Sequence, residues 1–348
     1  MFPYQGWPTV NIDRDGVLYA VCSGHRIEHV CPFGKNLLYR SFDGGETWTE
    51  PQIVNDTFKD DRDGGLAIGR DGTFILTWFN NEMSLYKNHY EDDKNNPDYV
   101  KGELIGGYLK VCEAIPDELL KEGSFARRSY DRGLTWTEPE QVPVSAPHGP
   151  IFLRNGELLY LGKEFFSGTL EKDEIFACKY INGKWEAIGK VSLPPEINKN
   201  QVYEPHVIEL PDGELLGALR VQINTEQWED FTIYLCRSQD GGKTWTTPEP
   251  TGISGSPPHL MLHSSGALIM SYARRRDNYS ERAVISYDGG KTFGKEIVLR
   301  NSKTDDLGYP STVELPDGSL ITVYYHYLDE DDFASILYTK WTIEETER

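Results

Sequence analysis

Short apolar runs alternate with polar positions along this chain, and the runs come in pairs. A hydrophobic stretch, an Asp-Gly-like turn and a second hydrophobic stretch occur six times: PTVNIDRDGVLYAV, GGLAIGRDGTFILTW, GPIFLRNGELLYLG, PHVIELPDGELLGAL, PHLMLHSSGALIMSY and PSTVELPDGSLITVY. Each predicts a β-hairpin. The turns are Asp15-Gly16, Asp71-Gly72, Asn155-Gly156, Asp212-Gly213, Ser265-Gly266 and Asp317-Gly318. They recur about every fifty residues, the period of a propeller or an array. A third apolar run follows each hairpin: NLLYRS, SFARRS, EIFACKY, FTIYLCRS, RAVISY and SILYTK. A fourth, outer run follows, such as EPQIV after Trp48. Six units of four antiparallel strands predict an all-β, six-bladed β-propeller, with residues 1–348 as one domain.

One interval, between the second and third hairpins, is longer by roughly thirty residues. It marks an insertion over about 80–124, acidic in EDDKNNPD, with a short helix predicted near Ile115–Lys121. It reads as a lid or rim, or as a plain surface loop. The outer strand of the last blade is either Trp341–Glu345 or Phe2–Gln5.

The stretch SFDGGETW at 41–48 returns as SYDRGLTW at 129–136, SQDGGKTW at 238–245 and SYDGGKTF at 286–293. Each copy follows a third strand, so it lies at the same end of the blades as the Asp-Gly turns. The Asp can accept backbone N–H bonds, the Gly can take positive φ, and the Trp can pack between sheets. One carboxylate per turn is too few for a calcium loop. The repeat therefore reads as structural.

The net charge of −20, from 55 acids against 35 Lys and Arg, argues against nucleic acid and acidic membranes as partners. An anionic ligand would need a local arginine cluster. No run is apolar for long enough to span a bilayer. The first residues lack the charged-then-apolar pattern of a leader, so a cytoplasmic location is expected. The five cysteines show no CxxC spacing and read as buried thiols. No cofactor motif is present, and the sequence does not give the oligomeric state.

Propeller blades bring the starts of their inner strands together around one axis. Registering the hairpins on their turns puts Trp7, Asp63, Pro147, Glu204, Pro257 and Tyr309 in one ring at that mouth. Arg62 and Tyr203 lie one position earlier; His148, His206 and His259 lie just after. The second strands return to the same face with Arg220, Arg274 to Arg276 and Tyr325-His326. The loop SGHRIEHVCPFGK adds His25, Arg26, Glu28 and His29. Acids, imidazoles, guanidiniums and a phenol from different blades thus point at one funnel, which is the argument for a site there. The three histidines belong to three blades, which disfavours a metal centre; core histidines are the plain alternative.

The S-x-D-x-G-x-T-W turns resemble the Asp boxes (BNR repeats) of the sialidase, or neuraminidase, superfamily, and the resemblance covers nearly the whole chain. Such enzymes bind a sugar carboxylate with three arginines. They use a Tyr nucleophile paired with a Glu, and an Asp as acid/base. By this resemblance YEPHVIELPDGELLGALR supplies Glu204 and Arg220, GYPSTVELPDGSL supplies Tyr309, and YARRR supplies the third arginine, taken as Arg276. Two positions depart from the pattern. Trp7 stands where the first arginine belongs, and the loop after the first hairpin has no Asp. Arg62 can replace the missing arginine, and His25 or Asp63 the proton donor. The resemblance implies a sialidase-like exo-glycosidase with a carbohydrate substrate and no cofactor. Tyr309, Glu204, Asp63 and His25 would be catalytic. Arg62, Arg220, Arg276, Trp7, His148, His206, His259 and Tyr203 would bind substrate. Other readings are a different sugar-active enzyme on this fold, such as a uronic-acid or deoxysugar glycosidase or a lyase, and a non-catalytic glycan-binding propeller.

Overall fold

The computed structural model describes residues 2–96, 101–165, 168–224, 229–328 and 333–343. They form six antiparallel sheets set around an axis. Blade 1 holds strands Tyr4–Ile12, Leu18–Arg26, Lys35–Ser41 and Gln52–Asn55. The inner strands of the other blades are Arg62–Ile68, Ile151–Phe152, Val202–Glu209, Ser256–Leu262 and Gly308–Glu314. Five sheets have four strands; the sixth has three among the described residues. Phe2–Gln5 is no outer strand, because Tyr4 already begins the inner strand of blade 1. Trp341 ends the third strand of blade 6, and Glu345 lies outside the described residues.

Apolar faces meet between blades. Val10, Leu18 and Ala20 of blade 1 pack on Val313, Leu315, Ile321 and Val323 of blade 6, which closes the ring. The cysteines of the strands, Cys22, Cys178 and Cys236, are buried and free. The repeated turns are fastened alike. Gly45 N donates to Ser41 Oγ at 2.9 Å, and Thr47 N to Asp43 Oδ1 at 2.9 Å. The same two bonds recur at Ser129 and Asp131, Ser238 and Asp240, and Ser286 and Asp288. Trp136 and Trp245 then pack into the cores between blades.

The inner strands carry the feature that places the site. Five of them break register with the second strand at one level: between Gly6 and Thr9, Arg62 and Gly65, Tyr203 and His206, Ser256 and His259, and Gly308 and Ser311. These are β-bulges, which bend a strand and re-aim its side chains. The bulged residues include Trp7, Asp63, Glu204 and Tyr309, with φ of 54°, 51°, 47° and 54°. All four adopt a left-handed backbone that L-residues avoid.

Below the bulges, the axis is filled by His148, His206 and His259. Their ring centroids lie 4.4 to 5.7 Å apart, and each is under 9% exposed. They tie blades together: Leu260 N donates to His206 Nδ1 at 3.0 Å and Thr312 N to His259 Nδ1 at 3.3 Å between neighbouring blades, and Thr9 Oγ1 of blade 1 meets His148 Nδ1 at the head of blade 3 at 3.2 Å.

The insertion differs from expectation. Only a 3-10 turn, Asp117–Leu119, falls in the stretch where a helix was expected. Two α-helices precede it, α1 at Met83–Asp93 and α2 at Gly102–Cys112. Their signal is weak because α1 buries only Tyr86, and glycines at 102 and 106 interrupt the apolar face of α2. Tyr86, Ile105 and Leu109 pack on Ile27 and Cys31 of the loop after the first hairpin. The insertion therefore buttresses that loop.

Blades 2 and 3 touch at the axis through backbone. A Cβ on Gly65 would lie 2.5 Å from Gly149 Cα and from Thr77 Oγ1. Gly65→Ala is expected to lose about 1–3 kcal/mol in urea unfolding. An unchanged midpoint would mean that the two blades can part at no cost.

Candidate functional site

The bulges turn Asp63, Glu204 and Tyr309 toward one another. Tyr309 Oη donates to Glu204 Oε1, and Arg220 Nη1 donates to Glu204 Oε2 at 2.5 Å. Glu204 thus holds a phenol on one oxygen and a guanidinium on the other. The Arg275 guanidinium lies 5.4 Å from the centre of the Tyr309 ring and donates to Tyr325 Oη at 3.2 Å. Arg62 lies over the Trp7 ring at 4.0 Å and donates to the His29 carbonyl at 3.2 Å.

A second carboxylate organises the rim. Asp306 Oδ1 accepts from Tyr325 Oη at 2.9 Å and lies 3.0 Å from His29 Nδ1; its Oδ2 accepts from Tyr4 Oη at 3.0 Å. A third, Asp60, is fully buried and paired with Arg26. It also lies 3.5 Å from Arg62 and accepts from Tyr86 Oη at 3.2 Å. Helix α1 is tied to the site through that phenol.

Burial sets the protonation states. The Tyr309 phenol is pushed well above its usual range by burial, then by the charges of Glu204 and Asp63. It stays neutral. Asp63 is pushed up to about 7, chiefly by burial; Arg62 opposes the rise and Glu204 adds to it. Its Oδ1 has no hydrogen-bond partner among the described residues. Burial also disfavours an ionised Asp306, but bonds from His29, Tyr325 and Tyr4 hold it down to about 2. Arg62 keeps its charge against burial because Asp60 and Asp63 flank it. The result is a neutral phenol on a carboxylate, a protonatable acid beside them, and guanidiniums from Arg62, Arg220 and Arg275 around all three.

Residues 37–322 match the BNR repeat-like domain family. The chain belongs to that family. No curated protein is similar to it in sequence. Among solved structures, a protein of unknown function from Dyadobacter fermentans is 22% identical, with a TM-score of 0.76 over 99% of this chain and 95% of that one. The NanB sialidase from Streptococcus pneumoniae is 14% identical, with a TM-score of 0.69 over 98% of this chain and 68% of that one. The intramolecular trans-sialidase from Ruminococcus gnavus is 15% identical, with a TM-score of 0.65 over 100% and 96%. At these identities the likeness is one of fold. The BNR-family chain is a sialidase-like propeller.

The structure brings together Tyr309, Glu204, Arg220, Asp63 and Arg62. The other expected residues lie as follows. Arg275, not Arg276, faces Tyr309; Tyr272 and Arg274 both bind Glu296, so strand alternation turns position 275 the other way. His25 is exposed and stacks on Phe2, while its neighbour Arg26 points inward. Trp7 is 1% exposed and covered by Arg26 and Arg62, so it is a floor under guanidiniums rather than a sugar platform. The three histidines form the axial plug, bonded to protein on their Nδ1 atoms. Tyr203 stays at the rim, bonded to the Asn200 carbonyl and flanked by Lys163 and Arg220. Sequence reasoning missed Tyr4, Asp60, Tyr86 and Asp306 as members of the site, and put Arg274 to Arg276 and Tyr325 at the mouth without giving Arg275 or Tyr325 a role. Among the described residues, no group of three His, Cys, Asp or Glu is arranged to hold a metal ion.

The plug makes a measurable claim. Burial lowers His206 to about 3 and carries His148 and His259 well below their usual range. Below pH 6.5 the unfolded chain takes up protons that the folded chain refuses. Stability is therefore full above pH 6.5 and falls as pH drops toward 3, by up to about 1.4 kcal/mol per pH unit for each histidine. His206→Asn, whose Oδ1 can still accept from Leu260 N, is expected to flatten the slope of unfolding free energy between pH 6 and 4.5. An unchanged slope would show that His206 protonates inside the fold.

Proposed function

We propose that the protein is an exo-glycosidase of sialidase-like mechanism that removes a terminal, carboxylate-bearing sugar from a glycan or oligosaccharide. The observation that carries this reading is the hydrogen bond from the Tyr309 phenol to Glu204, inside a cluster of three guanidiniums. A sugar with a carboxylate at its reacting carbon repels a carboxylate nucleophile. A neutral phenol meets no such barrier, and Glu204 takes its proton as it attacks. Arg62, Arg220 and Arg275 are the natural partners for the sugar carboxylate because the guanidinium fork matches it. Arg62, resting on Trp7, supplies the arm that the first inner strand lacks. The neighbours described as a sialidase and an intramolecular trans-sialidase support the same chemistry.

In the first step the anomeric carbon bonds to Tyr309 Oη as its bond to the leaving oxygen breaks. Asp63, pushed up to about 7 by burial and so protonated in part of the molecules at neutral pH, gives the leaving oxygen its proton. The glycosyl group stays on Tyr309 until water releases it.

Hydrolysis of an α-sialoside, against a panel including α-glucuronides, tests the substrate class. Tyr309→Phe is expected to lower kcat by on the order of 10³-fold or more. Wild-type turnover by that variant would remove the nucleophile. The acid must carry its proton, so activity on a natural oligosaccharide should fall as pH rises through about 7. Asp63→Asn should lower that rate by about 10² to 10⁴-fold. A nitrophenyl glycoside, whose leaving group needs no proton, should lose much less. Equal losses on both substrates would exclude Asp63 as the donor.

A further inference from the structure

We infer that His29, oriented by Asp306, is a further catalytic residue: the base that takes the proton from the water releasing the sugar from Tyr309. The inference rests on the glycosidase reading above. Its grounds are the geometry of the rim. His29 Nδ1 lies 3.0 Å from Asp306 Oδ1 and 3.0 Å from Tyr4 Oη. Tyr4 and Tyr325 both donate to Asp306, so the carboxylate accepts from three directions. A carboxylate so placed fixes the proton of His29 on Nδ1 and leaves the lone pair on Nε2. Nε2 has no hydrogen-bond partner among the described residues, and the side chain is 43% exposed.

The backbone is held as firmly as the ring. The His29 carbonyl accepts from Arg26 at 2.7 Å and from Arg62 at 3.2 Å. The imidazole packs edge-on against Trp7, 5.0 Å between centroids, and Tyr309 packs edge-on against the same indole at 6.4 Å. The dyad and the nucleophile thus border one indole, and the imidazole is the nearer to solvent, whereas Asp63 is 6% exposed. Burial, with Arg62 adding to it, lowers the imidazole against the pull of Asp306 and so favours its neutral form, while burial raises Asp63 to about 7 and favours its protonated form. An acid and a base held in opposite states in one pocket divide the two half-reactions between them.

The step balances. The water oxygen bonds to the anomeric carbon as the bond to Tyr309 Oη breaks. The water proton passes to His29 Nε2, and the Tyr309 oxygen regains its proton from Glu204. His29 then releases a proton to solvent, and Asp63 takes one up.

The test uses the full chain and a nitrophenyl glycoside that the wild type cleaves. His29→Gln is expected to release one equivalent of nitrophenol per site in a burst, then to turn over on the order of 10²-fold more slowly. Intact mass should show the glycosyl adduct, and peptide mapping should place it on Tyr309. Azide, which attacks without a base, should restore turnover and yield the glycosyl azide. Asp306→Asn, a change in the positioning residue, should show a weaker burst with the same azide rescue. A His29→Gln enzyme at the wild-type steady rate, or one slowed before nitrophenol release with no adduct, would overturn the inference and leave the glycosidase reading intact. A wild type that cleaves no glycoside would overturn both.

Discussion

Everything at the mouth of this ring depends on a backbone conformation that most residues avoid. Trp7, Asp63, Glu204 and Tyr309 sit at bulges with φ near +50°, each at a cost on the order of 1–3 kcal/mol. An unbulged strand would alternate its side chains between the two neighbouring blade interfaces. The bulge turns one of them along the axis instead. Hairpin ladders on the far side of each bulge, closed by the Asp-Gly turns and the fastened Ser and Asp turns, hold it in place. The scaffold's regularity is what makes the local irregularity affordable.

Electrostatics follow from the same geometry. The chain carries a charge of −20, yet the mouth gathers Arg26, Arg62, Arg220 and Arg275. Buried guanidiniums need partners, and each has one: Asp60 for Arg26 and Arg62, Glu204 for Arg220, Tyr325 for Arg275. Asp60 is spent mainly on Arg26, which leaves Arg62 the looser of that pair. The arginines are thereby held in place by acids and a phenol within a chain of strongly negative charge.

Much of this was legible from spacing alone. Registering six hairpins on their turns picked out the bulge positions without knowledge that bulges existed, because the distance from turn to mouth is the same in each blade. Glu204, Arg220, Tyr309, Arg62 and Asp63 followed. The failures have physical causes. Arg274 to Arg276 leave the strand as it ends, so only the contacts of Tyr272 and Arg274 with Glu296 fix which one faces inward. Asp306 works through a partner 302 positions away, a relation that no local pattern encodes. The three histidines shared a register, which suggested ligand binding, but the level just inside the bulge is already core. Helix α1 was hidden because it buries a single side chain.

The axial imidazoles have a consequence for traffic. Many rings of sheets leave a bore along the centre, but here stacked heterocycles 4.4 Å apart stopper it. Whatever enters must back out by the way it came. Anything leaving and anything arriving then share one doorway, so one must clear it before the other can pass.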